Sequence, residues 1–89
     1  MKWPTNVVSF PGTGFRKLVL DELAAAHENY GPIRNTHEAY AIILEEVEEF
    51  WAETRKRSAH RSAETLLAEL VQIAAMAERA AVDLQLCQT

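Results

Sequence analysis

The stretch Asn35–Trp51, NTHEAYAIILEEVEEFW, decides the fold of this chain. Its main apolar residues recur at the spacing of one face of an α-helix and form a stripe of Tyr40, Ile43, Leu44, Val47 and Trp51. Asn35 lies three residues before Glu38, the spacing of a capping box in which Asn replaces the usual Ser or Thr. We therefore predict a helix that begins after Asn35 or Thr36 and turns this stripe towards the core.

Two more helices are predicted, one on each side of this stretch. The first has Thr13 as its N-cap, runs to about Asn29 and is stopped by the Gly31-Pro32 pair. The third has Ser62 as its N-cap and runs to about Leu86 without an internal Gly or Pro. Their core stripes are predicted to be Phe15, Val19, Leu23, Ala26 and Tyr30 in the first helix, and Leu66, Leu70, Ile73, Ala77, Ala80 and Leu84 in the third.

The predicted fold class is all-α, a helical bundle of about three helices per chain that is completed by oligomerisation. Residues 1–89 are expected to form a single domain, with 1–12 as an irregular N-terminal arm. Apolar residues outside the core stripes would otherwise stay uncovered, so we expect a homodimer or a homotetramer. These residues are Leu18, Leu20 and Ala24 in the first helix and Leu67, Val71 and Ala74 in the third.

Composition and charge narrow the classes of partner. The 89 residues carry a net charge of -4, which argues against a nucleic-acid polymer as the partner. No apolar run approaches the roughly 18 residues of a membrane span, and no signal peptide is recognisable at the N-terminus. With Cys87 as the single cysteine, the sequence predicts a protein of the reducing cytoplasm.

The acidic residues of the second helix form the strongest chemical signal. Glu46 and Glu49 project from nearly the same side, and Glu45, Glu49 and Glu53 follow one another at i, i+4 without an interleaved base. Like charges at this spacing cost roughly 0.2–0.5 kcal/mol per pair. A hard divalent cation would compensate, since carboxylate oxygens are its preferred ligands. A solvated acidic face is the alternative interpretation.

Glu69 adds a second acidic position, on the third helix. It falls on the flank of the apolar stripe beside Ile73 and Met76, where a carboxylate is costly to desolvate unless it is paired or coordinated. Pairing with Arg79 or Lys17 is the alternative to a metal. Taken together, the acidic residues of the second and third helices follow the order Glu45-Glu46-x-x-Glu49, then Glu69-x-x-Gln72.

This order resembles the MazG-like all-α nucleoside triphosphate pyrophosphohydrolases, and the stretches around His37–Glu46 and Leu70–Ala77 are similar to short phage and bacterial members. The resemblance implies Mg²⁺, with Mn²⁺ as a substitute, and hydrolysis of a (deoxy)nucleoside triphosphate to monophosphate and pyrophosphate. It also implies roles for five residues: Glu46, Glu49, Glu69 and Gln72 at the metal, and Glu45 as the carboxylate that orients or deprotonates water.

Two departures from the family pattern leave alternatives open. Gln72 stands where family members usually have Asp, and an amide oxygen coordinates weakly and cannot act as a base. The sequence offers three clear helices, whereas family protomers commonly have four. The alternatives are a catalytically weakened member that binds nucleotide or metal, and a non-enzymatic helical oligomerisation or adaptor module with an acidic face. The residues that would contact the base cannot be assigned from the sequence.

Overall fold

A computed structural model describes residues 12–87 of the chain. It contains helix α1 (Gly12–Asn29), helix α2 (Thr36–Thr54), a 3-10 turn (Ser58–His60) and helix α3 (Ala63–Asp83), and this part of the chain has no strand. The predicted all-α class is confirmed. The predicted arm, 1–12, lies outside the described residues except for Gly12, which already belongs to α1. None of the described helices combines the length and the apolar character that crossing a membrane requires.

Two of the three predicted N-caps are confirmed. The Asn35 side chain accepts a hydrogen bond from the Glu38 amide (2.8 Å), and the Ser62 hydroxyl accepts one from the Thr65 amide (3.1 Å). The capping box at α2 is shifted, because the Glu38 carboxylate accepts from the Arg34 amide rather than from Asn35. Thr13 is not an N-cap, since α1 already includes Gly12.

The third helix ends earlier than predicted. Its last residue is Asp83 and Leu84 is its C-cap, so the expected continuation to Leu86 is wrong. Gln85 follows with a φ of 61°, in the left-handed region that terminates helices. No glycine or proline marks this stop, which explains why the sequence pattern missed it.

Helix α3 is the centre of the fold. Both α1 and α2 pack against it, and α1 and α2 make no backbone contact with each other. Two buried clusters hold the helices together: Val19, Leu23 and Ala26 of α1 with Val71, Ala75 and Met76 of α3, and Ile33, Ala39 and Ala80. Because α1 and α2 stay apart, a cleft remains between them.

The predicted core stripe of α2 mostly faces away from α3. Tyr40 and Trp51 are 67% and 57% exposed, Val47 is exposed as well, and only Ile43 and Leu44 are half-buried. The core-face prediction is therefore wrong for three of the five residues. A helix with one neighbour buries one flank only, and α2 buries the flank that carries Ala39 and Glu53.

The stripes of α1 and α3 are predicted better, with local errors. Leu70 and Ala77, expected in the core of α3, are exposed, whereas Val71, expected to be uncovered, is buried. Tyr30 was expected to extend the stripe of α1 and is exposed instead. Four other residues expected to be uncovered, Leu18, Leu20, Ala24 and Leu67, are exposed. The expectation is wrong for Ala74, which is half-buried against the core because α3 turns this side towards α1. Helix α3 is thus rotated by part of a turn relative to the predicted orientation.

Candidate functional site

An open cleft of about 590 Å³ lies between α1 and α2. Carboxylates and one amide line one end of it: Glu22 from α1, Glu45, Glu46 and Glu49 from α2, and Glu69 and Gln72 from α3. All five residues that were singled out from the sequence therefore border one cleft. The end that they line is called the acidic end below.

Glu46, Glu49 and Glu69 form the centre of the acidic end. One carboxylate oxygen from each lies within 4.8 Å of the other two. Glu46 and Glu49 are one helical turn apart, and the packing of α2 on α3 brings Glu69 opposite them. Exposed acidic groups at such distances also occur without a metal, so the distances alone do not establish a metal site.

Glu69 lacks the basic partner that was considered as an alternative. Lys17 binds Asp21 at 3.0 Å, while Arg79 donates to the Gly31 carbonyl and lies 3.6 Å from the Asp83 carboxylate. The Glu69 Oε2 atom is buried and has no hydrogen-bond partner among the described residues. A buried acceptor left without a donor costs about 1–3 kcal/mol, and more when it is charged. A bound cation would remove this cost.

Crowding of the carboxylates changes their protonation. Burial raises the pKa of the Glu46 carboxyl to about 7, and the negative charges of Glu49, Glu69 and Glu45 add to the shift. Burial is also the main reason why the pKa of Glu69 is raised, with Glu49 as the next cause. Without a cation, the acidic end therefore retains a proton near neutral pH. A divalent cation would displace it, because a nearby positive charge favours the ionised form.

Glu45 and Gln72 border the acidic end without joining the triad. Glu45 is exposed, while Gln72 is half-buried one turn beyond Glu69 and lines the same cleft. Glu22 was missed by the sequence reasoning although it is half-buried in the cleft. Its position in the sequence, three residues after Val19 and four before Ala26, indicates that it lies on the inward flank of α1.

Glu53 does not belong to the site, although it continues the predicted acidic row. It is 5% exposed, and its carboxylate accepts hydrogen bonds from the Ser62 amide (2.7 Å) and from the Lys56 ammonium (2.9 Å). The bond from Lys56, followed by the bond from Ser62, lowers the pKa of Glu53. This residue fastens the end of α2 to the start of α3, so its role is structural.

The opposite end of the cleft has a different character. It is lined by Tyr30, Gly31, Glu38, Ile42, Met76 and Arg79. Arg79 is 6% exposed, and its guanidinium lies 5.9 Å from the centre of the Tyr30 ring. From the sequence, Arg79 is expected only as a possible partner for Glu69. Its position between the buried Met76 and Ala80 was the signal that it is itself buried.

No protein-family model, curated protein or solved structure matches the chain. None of these comparisons supports the resemblance to MazG-like pyrophosphohydrolases that the order of Glu45, Glu46, Glu49, Glu69 and Gln72 suggests.

Proposed function

We propose that this protein hydrolyses a (deoxy)nucleoside triphosphate to the monophosphate and pyrophosphate with the help of Mg²⁺. The observation that carries the proposal is the convergence of Glu46, Glu49 and Glu69, one of which, Glu69, has a buried Oε2 atom without a hydrogen-bond partner among the described residues. The cleft beside them, about 590 Å³, falls in the range of small-molecule sites. The reaction is the one that the resemblance of the acidic motif to MazG-like pyrophosphohydrolases implies.

The donor set of the acidic end fits Mg²⁺. This ion prefers oxygen ligands, and proteins commonly hold it through a few carboxylates together with substrate phosphates. Glu46, Glu49 and Glu69 would be the protein ligands, and the amide oxygen of Gln72 would be a weaker fourth. When bound, the cation neutralises the triphosphate and so lets a nucleophile approach the phosphorus.

The remaining roles fall to residues of this chain. Glu45, exposed at the edge of the cleft, orients a water molecule and accepts its proton. The water oxygen bonds to the α-phosphorus, the bond from that phosphorus to the bridging oxygen breaks, and pyrophosphate leaves. Gln72 cannot serve as the base, because an amide does not take up a proton at neutral pH.

The exposed apolar face of α2 favours a second candidate, an oligomerisation or adaptor module. Tyr40, Val47 and Trp51 leave this face uncovered. A homodimer or homotetramer would cover it and is compatible with the enzymatic proposal. An adaptor would instead use the acidic end to bind a basic partner, with an affinity that falls as salt screens the charges. A third candidate lies between the enzyme and the adaptor: a catalytically weakened family member that binds nucleotide or metal, because Gln72 leaves the acidic end with one negative charge fewer.

The test is a panel of ribo- and deoxyribonucleoside triphosphates incubated with the protein and Mg²⁺, with pyrophosphate and orthophosphate measured separately. We expect pyrophosphate from at least one of them, and its loss in Glu49→Gln. Glu48→Gln is the matched control, since Glu48 is exposed on the same helix and does not line the cleft. Equal activity in the two variants would contradict the assigned site.

Metal titration separates the candidates when no pyrophosphate is formed. A weakened member should still bind Mg²⁺ or Mn²⁺ at millimolar concentration or below, and Glu49→Gln should abolish that binding. An adaptor should show only weak association with cations that disappears at high ionic strength.

A further inference from the structure

We infer that the end of the cleft lined by Tyr30, Ile42, Met76 and Arg79 binds the nucleobase, with the Tyr30 ring as the surface on which the base stacks. The inference rests on the proposed function and adds to it the residue that contacts the base. The site would take nucleoside triphosphates in preference to bare polyphosphates, because one end of the cleft is suited to phosphates and the other to a flat, neutral group.

The distance between the two ends suits a nucleotide. Along α3, Met76 lies seven positions beyond Glu69, which is about 10 Å at the rise of an α-helix. Along α2, Ile42 lies four positions before Glu46, which is about 6 Å. A ribose carrying a base spans a comparable distance from its α-phosphate. Phosphates at the acidic end would therefore place the base between Ile42 and Met76.

The charges at this end do not favour a phosphate. One end nitrogen of the Arg79 guanidinium donates to the Gly31 carbonyl, and its buried Nε, which has no hydrogen-bond partner among the described residues, forms an ion pair with the Asp83 carboxylate at 3.6 Å. Glu38 is nearby, and its carboxylate is engaged by Arg34 (2.8 Å). Each charge thus has a partner of the opposite sign or an acceptor, and the adjacent walls are the apolar side chains of Ile42 and Met76. Such an environment suits a neutral aromatic ring.

The Tyr30 side chain is exposed, and the chain that follows it is anchored to α3. It is 69% exposed at the cleft, and the Arg79 guanidinium lies 5.9 Å from the centre of its ring. The loop that follows is anchored to α3, because the Ile33 amide donates to the Asp83 carboxylate at 2.9 Å and Ile33 is buried. An aromatic ring that is held in place but still accessible offers a stacking surface at little entropic cost.

The test compares nucleotides with a ligand that lacks a base. Equilibrium binding is measured with Mg²⁺ for α,β-imido analogues of the four common deoxynucleoside triphosphates and for inorganic tripolyphosphate. We expect at least one analogue to bind more tightly than tripolyphosphate. Tyr30→Ala should weaken that analogue about tenfold, the scale of one base–aromatic stack, and leave tripolyphosphate unchanged.

The matched control is Tyr40→Ala, since Tyr40 is 67% exposed on α2 and does not line the cleft. It should change neither affinity. Tyr30→Leu, which keeps apolar bulk without an aromatic ring, should lie between the wild type and Tyr30→Ala and provides a second test if the alanine variant folds poorly. Helical circular dichroism and melting curves check the fold of each variant.

Every other outcome contradicts the inference, and each one shows which part of it is wrong. Equal weakening of nucleotide and tripolyphosphate in Tyr30→Ala would mean a general structural effect, and no weakening at all would remove Tyr30 from the site. Equal affinity of the wild type for both ligands would mean that the base is not bound. If pyrophosphate is still released, these results overturn this inference alone. Absence of both binding and pyrophosphate release overturns the proposed function together with it.

Discussion

At Glu46, burial and neighbouring carboxylates raise the pKa to about 7. The folded protein therefore holds a proton that the unfolded chain releases near the ordinary pKa of 4.5. The stability contributed by this proton is fully present below pH 4.5 and is lost as the pH rises through 7. The acidic end is thus a destabilising feature of the metal-free protein at neutral pH.

We predict that the metal-free wild type is less stable at pH 8 than at pH 5 by roughly 1 kcal/mol, after allowance for solvent screening at a half-buried group. Glu46→Gln should flatten this dependence and raise the melting temperature at pH 8, whereas Glu48→Gln should not. Thermal unfolding in the presence of a chelator, at several pH values, measures the effect. A wild type as stable at pH 8 as at pH 5 would contradict it.

Gln72 gives a second prediction at the residue scale. Gln72→Asp supplies the missing negative charge beside Glu69, so it should tighten Mg²⁺ binding and raise pyrophosphate release if a triphosphate is a substrate. Without metal it should lower the melting temperature slightly because it adds like charge, and Mg²⁺ should restore the loss by mass action. Gln72→Asn is the control, since it has the shape of Asp without its charge. Identical titrations and melting curves for the two variants would show that charge at this position is irrelevant.

At the scale of elements, Glu53 shows how one side chain can join two helices. It lies in the last turn of α2, and its carboxylate accepts from the amide of Ser62, which is the N-cap of α3. The basic segment between the two helices contributes Lys56 to the same carboxylate. The connection between α2 and α3 is therefore held by hydrogen bonds around a buried acid.

We predict that Glu53→Ala lowers the melting temperature by several degrees, because the half-buried Ser62 amide and the Lys56 ammonium lose their acceptor. Glu48→Ala, at an exposed position of the same helix, should have little effect. The lowered pKa of Glu53 also sets the sign of the pH dependence: its contribution is present above the unfolded pKa of 4.5 and is lost as the pH falls through the folded value. The two variants should therefore differ less at pH 3 than at pH 7, as thermal unfolding would show.

At the scale of the whole molecule, α1 and α2 both pack on α3, and their backbones lie apart from each other. The result is a cleft on one side and uncovered apolar side chains on the outside. Exposed large residues occur on all three helices, among them Leu18 and Leu20 on α1, Trp51 on α2 and Leu67 on α3. On soluble proteins, exposed apolar residues that adjoin one another mark interaction surfaces.

We predict that the protein forms a homodimer or homotetramer through these faces, with an interface near the 800 Å² per partner that is typical of stable complexes. Trp51→Glu should shift the equilibrium towards the monomer, because it places a charge in the apolar face of α2. Ala52→Glu, at the neighbouring exposed position, should shift it less. Analytical ultracentrifugation measures the oligomeric state. A wild type that sediments as a 10.0 kDa monomer at micromolar concentration would contradict the prediction.

The sequence by itself determined the three helices, apart from the start of α1 and the end of α3, and it singled out five residues of the cleft but not Glu22. Local signals sufficed for these, because the Asn35 and Ser62 caps depend on residues within a single turn. The side that each helix buries was decided only by the tertiary structure. Tyr40, Val47 and Trp51 form a regular stripe, yet α2 has α3 as its single described neighbour and covers a different flank. The structural role of Glu53 and the second end of the cleft, with Tyr30 and Arg79, likewise depend on contacts between residues far apart in the chain. Periodicity gives the relative angles of side chains on one helix and leaves open how that helix is rotated against its neighbours.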